Sequence, residues 1–93
     1  MTSMPEDKAE LMHFVQSKMP GKVIKDVSMH NLQNSKFRLI LVAVSNEEPH
    51  CIIINKQTYT YLVFPIHELA QVIMHHTDND LGLIQFFNSL SKK

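Results

Sequence analysis

The chain has one cysteine, two glycines and no tryptophan. Each shortage excludes something. A lone cysteine, Cys51, rules out an intramolecular disulfide. It sits in the apolar run Cys51-Ile52-Ile53-Ile54 and reads as a core residue. The alternative is a nucleophile or a thiol ligand, which needs exposure and a lowered pKa. Gly21 and Gly82 are too few to build a glycine-rich phosphate loop. Neither sign of charge is in excess: nine Lys and Arg balance nine Asp and Glu. A neutral chain lacks the electrostatic footprint of a general nucleic-acid binder. Six histidines add positive charge below neutrality. The longest uninterrupted apolar run, Leu39–Val44, has six residues. A spanning helix needs roughly 20. Met1 to Glu10 has no apolar signal-peptide core. These absences lead us to expect a cytoplasmic protein with no membrane partner.

What is present describes one globular domain, residues 1–93. Hydrophobic residues are 44% and charged residues 19%, an ordinary balance for a packed chain. A chain of this length buries roughly 60–65% of its unfolded surface, so its core is thin.

Ser3-Met4-Pro5-Glu6 has the form of a helix start, with Ser3 as cap and Glu6 answering it. Leu11, Phe14, Val15 and Met19 follow at helical spacing, and Pro20-Gly21 ends the segment. The first helix is therefore expected over about 4–19. Val23 to Met29 reads as an edge strand, with Val23, Val27 and Met29 on one parity, interrupted by Lys25. Residues 30–35 are turn-like.

Three stronger strands follow: Phe37–Val44, His50–Ile54 and Thr58–Phe64. Both parities of each are apolar, so the sheet needs a cover on each face. The links Ser45–Pro49 and Asn55–Gln57 are short, which implies antiparallel neighbours. We expect Ile40, Val42, Ile52, Ile54, Leu62 and Phe64 to share one face. After Pro65, Ile66, Leu69, Ala70 and Ile73 mark a helix that frays near His76-Thr77. Thr77 or Asp78 caps a last helix bearing Leu83, Ile84, Phe87 and Leu90. Gly82 weakens that helix by about 1 kcal/mol relative to Ala. The expected fold class is α+β: a single domain of order α-β-β-β-β-α-α, its four-stranded antiparallel sheet packed by helices.

Four constellations bear on chemistry. His75, His76, Asp78 and Asp80 collect two imidazoles and two carboxylates, the donors of a divalent-metal site. Their spacing is poor: four residues before His75 stands Gln71, and His67 is roughly 12 Å away along a helix. The plainer reading is a helix C-terminus followed by a cap. For catalysis, there is no Gly-x-Ser-x-Gly elbow and no His-Glu-x-x-His. Glu47-Glu48 reads as a solvated turn rather than a paired acid and base. No catalytic residue and no cofactor is assigned.

For single-stranded nucleic acid, Tyr59 and Tyr61 fall on one face of the last strand, with Lys36, Arg38 and Lys56 as cations to accompany stacking. The order of strands running into a helix through Leu62-Val63-Phe64-Pro65-Ile66-His67-Glu68-Leu69 resembles, in topology alone, single-stranded-DNA-binding transcriptional coactivators of the positive-cofactor-four type. The resemblance implies a nucleic-acid-binding sheet face. The chain departs from it in lacking a basic strand surface: Lys36, Arg38 and Lys56 are set against Glu47 and Glu48 between positions 36 and 64.

Self-association is the fourth. The last two helices cover one sheet face. Helix one is short and covers the other only in part, so a second copy would complete it. The reading is a small intracellular, non-catalytic binding or regulatory module. It is a homodimer through its sheet or helices, with a protein partner as a further option. The alternatives are a single-stranded nucleic-acid binder and a small enzyme or metal protein using residues 75–80.

Overall fold

The structure, a computed structural model, describes residues 7–91. Helix α1 runs Lys8–Lys18, and the strands are β1 Ile24–Asn31, β2 Phe37–Val44, β3 His50–Asn55 and β4 Tyr61–Pro65. A 3-10 turn, Ile66–Glu68, leads into α2 Leu69–His76, and α3 Leu81–Ser91 closes the chain. The sheet is an antiparallel meander of order β1-β2-β3-β4. This is the expected α+β order. The radius of gyration, 12.8 Å, matches the ~12 Å of a chain this length packed as one body.

Among the described residues helix one begins at Lys8. Asp7 is its N-cap, with extended backbone and a carboxylate that accepts from the Ala9 N–H at 3.4 Å. The expected Ser3–Glu6 start lies outside the described residues. Leu11, Val15 and Met19 are buried, as their spacing predicts. Gly21, at φ +86°, takes the chain back to the sheet; a residue with a Cβ is strained there.

Helix α1 packs on Ile40, Val42, Val44, Ile52 and Ile54. Helices α2 and α3 pack on Leu39, Cys51, Ile53 and Phe64 through Leu69, Val72, Ile73 and Leu83. Both faces are thus covered within one chain, and helix one suffices for its own. Its 11 residues span roughly 16 Å at 1.5 Å each. Four strands at about 4.8 Å spacing span roughly 14 Å. No second copy is needed to seal the sheet.

Two strand assignments change. In β4, Ile52 pairs with Val63 and Ile54 with Tyr61, whereas Leu62 and Phe64 oppose Ile53 and Cys51. Leu62 and Phe64 therefore lie on the α2–α3 face, opposite Ile40 and Val42. In β1 the register shifts between Ile24 and Asp26, which makes Lys25 a bulge. The extra residue reverses the parity. Ile24, not Val23, joins Val27 and Met29 against α1, and Val23 is 67% exposed.

Candidate functional site

The α2–α3 corner carries the residues considered for a metal. His75 and His76 are exposed. The next two turn residues are both left-handed, Asp78 at φ 58° and Asn79 at φ 57°. Asp80 is buried and engaged at both oxygens. One accepts from the Leu83 N–H at 3.1 Å, and the other from the Lys36 N–H at 2.8 Å. Asp80, rather than Thr77 or Asp78, therefore caps α3, and it pins the start of β2 as well. Thr77 donates its hydroxyl to the Ile73 carbonyl at 2.7 Å. Its Oγ1 also accepts from the Asp80 N–H at 3.3 Å. Among the described residues no group of three or more His, Cys, Asp or Glu can hold a metal ion.

Gly82 completes this corner. Its N–H donates to the Asn34 carbonyl at 3.1 Å. A Cβ there would lie 2.6 Å from the Gln33 carbonyl oxygen. The glycine is what lets α3 approach the β1–β2 turn. Neither role had a local signal in the sequence, because the partners are more than 40 positions away.

At the β2–β3 end of the sheet, Glu48 and His67 form the one imidazole–carboxylate hydrogen bond among the described residues. His67 Nδ1 lies 2.6 Å from Glu48 Oε2, and the His67 N–H donates to Oε1 at 3.2 Å. The His67 side-chain hydrogen bond holds the Glu48 carboxyl below the usual carboxylate range. An imidazole oriented by a carboxylate is half of a nucleophile-activating pair. Among the described residues, no hydroxyl or thiol hydrogen-bonds to His67. The pair instead ties the β2–β3 turn to the 3-10 turn. The only thiol, Cys51, is fully buried between the sheet and the last helices, and burial pushes its pKa up to about 12. It is a core residue.

At the opposite end lie the residues considered for nucleic acid. Tyr59 and Tyr61 do not share a strand face. Tyr59 falls in the β3–β4 turn at φ +60° and is 58% exposed. Asn55 builds that turn: its Oδ1 accepts from the Gln57 and Thr58 N–H groups at 2.8 and 3.0 Å. Its carbonyl accepts from the Tyr59 N–H at 2.8 Å. Tyr61 opens β4, is 45% exposed, and has the Lys18 Nζ 4.8 Å from its ring centroid.

The cations assemble at the same end. The Lys56 N–H donates to the Lys36 carbonyl at 2.9 Å, which sets the two lysines side by side across the β2–β3 pair. Arg38 opposes Ile54, which opposes Tyr61, so Arg38 and Tyr61 share the α1 face two strands apart. Arg38 Nη1 touches Met29 Sδ at 3.9 Å. It also lines an open hollow of about 500 Å³ with Lys8, Leu11 and Asn31. Helix α1 covers the apolar centre of that face, and Arg38 and Tyr61 lie at its open end.

No family model, curated protein or solved structure matches the chain.

Proposed function

We propose that the chain is a non-catalytic binding module that self-associates through the free edge of β4. One observation carries this reading: β4 is a terminal strand with no charged residue, and Tyr61 and Leu62 within it are 45% and 39% exposed. Natural edge strands are usually blunted by charge, proline or a bulge. The other edge, β1, has such protection in its Lys25 bulge and in Asp26. On β4 only Pro65, at the far end, plays that part.

The hydrogen-bond alternation favours the same edge. The Asn55 N–H donates to the Thr60 carbonyl at 2.8 Å, so Leu62 and Phe64 direct their backbone groups towards β3. Tyr61 and Val63 are then left with N–H and C=O facing outwards. A second copy offers the same uncharged run, antiparallel, about a two-fold axis.

Sedimentation velocity between 1 and 100 µM (roughly the range for small specific interfaces) tests the proposal. The expected species is a dimer. Leu62→Lys puts a charge on the edge and should yield a folded monomer. Val63→Pro removes only an outward N–H and should do the same. A wild-type chain that sediments as a monomer throughout the range overturns the reading.

A further inference from the structure

We propose that the β3–β4 end of the sheet is a docking surface for single-stranded nucleic acid, with Lys36, Arg38, Lys56 and Lys18 meeting phosphates and Tyr59 stacking on a base. The formal charge is zero, but the fold separates its parts. The described cations are Lys8, Lys18, Lys22, Lys25, Lys36, Arg38 and Lys56. Lys8 pairs with Asp26, and Lys22 with Glu47. The other five make no ion pair among the described residues. Four of those five gather at one end. Glu47, Glu48 and Glu68 sit at the other, occupied with Lys22 and His67. Asp78 and Asp80 line a hollow with Lys36 on the α2–α3 side, where Asp80 is consumed by two backbone N–H groups, and Asp26 is held by Lys8.

Tyr59 is the second observation. A bulky residue in the left-handed region is strained, and glycine or asparagine fits there more cheaply. Its side chain is exposed, so core packing does not explain why a tyrosine is there. Strain retained without a packing reason points to use. An exposed ring at the same end as cations that make no ion pair among the described residues suits a base and its phosphates: stacking tolerates any sequence, and the cations track the backbone. A duplex hides its base faces, so the surface selects single strands. The surface lies on one chain and does not depend on the dimer.

The test is fluorescence anisotropy of the full chain with a labelled oligothymidine of about 15 nucleotides, a length within the usual site sizes. Wild type should bind, with log affinity falling against log salt at a slope of about −2 to −3, for three or four phosphates at about 0.7 each. Lys36→Gln with Lys56→Gln should flatten that slope by about 1.4. Lys25→Gln, remote from the end, should leave it unchanged. Tyr59→Asn should weaken binding about fivefold or more while leaving the denaturation midpoint equal or higher. That pairing separates a binding role from a structural one.

Four results overturn the proposal. One is no binding by wild type at low salt. Another is equal weakening by Lys25→Gln. The third is unchanged affinity in Tyr59→Asn. The fourth is equal competition by polyphosphate or anionic lipid vesicles. That result would reduce the surface to a general anion patch.

Discussion

At position 82, helix propensity and packing pull in opposite directions. Propensity alone favours Ala over Gly by about 1 kcal/mol within a helix. The added Cβ, however, would meet Ser35 Cβ at 2.5 Å and the Gln33 carbonyl oxygen at 2.6 Å. Backbone oxygen cannot swing aside as a side chain can, so the clash should win. Gly82→Ala is expected to destabilise the fold by about 1–3 kcal/mol, the usual range for overpacking, read as a lower urea midpoint. Gly21→Ala is the comparison. Nothing lies within 4 Å of its Cβ, so only the left-handed backbone opposes it, at about 1–2 kcal/mol. A raised midpoint in Gly82→Ala would show that α3 does not approach the turn this closely. The sequence marked Gly82 as a weakness in a helix. It offered Thr77 and Asp78 as equivalent caps, and Asp80 only as a metal donor. Asp80 caps α3 through the Leu83 N–H, three residues on; that it also binds the Lys36 N–H, 44 positions away, is contained in no local pattern.

Between elements, two exposed carboxylates act as ties. Lys8 and Asp26 join α1 to β1 at 2.6 Å, and Glu48 with His67 joins the β2–β3 turn to the 3-10 turn. The hydrogen bond from the Lys8 side chain, then that from the Val27 backbone, lowers the Asp26 pKa. Glu48 is lowered chiefly by the His67 side chain. A folded pKa below the unfolded one means a contribution present above the unfolded value, about 4 for these groups. It is lost as pH falls through the depressed folded value. Urea midpoints at low ionic strength should therefore drop as pH is lowered below about 4.5. Asp26→Asn combined with Glu48→Gln should flatten that decline. An unchanged slope in the double variant would show that these ties do not operate in solution. Both are solvent-screened, so the effect should shrink in salt.

Strand existence was legible from apolar runs, and β2 was placed to the residue. Strand parity was less so. The Lys25 bulge inserts a single residue, and nothing in Val23-Ile24-Lys25-Asp26-Val27 says which of them is extra. For β4, the facing of Leu62 follows from the turn that Asn55 organises. That turn is longer than Asn55–Gln57 and absorbs Tyr59, which the run had assigned to the strand.

For the molecule as a whole, one sheet serves two cores. Leu39 and Ile40 are neighbours in β2, both fully buried, and they face opposite helices. Each truncation to Ala should destabilise by about 2–5 kcal/mol. Because the strands are shared, both should lower one common transition. Tyrosine fluorescence, read in a Tyr59→Asn background so that Tyr61 alone reports, follows the α1 side, and far-ultraviolet circular dichroism reports the whole. The two should remain coincident in either variant. An early fluorescence transition in Ile40→Ala, with α2 and α3 intact, would show that the cores are separate units. The fold class was readable because it depends on order and period. Whether a single chain seals both faces was not, since that depends on the angle at which an 11-residue helix crosses four strands.

Four consecutive β3 residues, Cys51 to Ile54, are buried between those two cores. During synthesis the chain emerges in order, and α1 is made before the strands it covers. The cover for Leu39, Cys51 and Ile53 is made after them, so a nascent chain ending near Pro65 shows water an apolar hairpin with one face bare. Such runs, rich in β-branched residues and free of charge, are prone to pair with one another. Overproduction brings such bare hairpins together, and slow translation of the segment after Pro65 should send more of the chain into inclusion bodies.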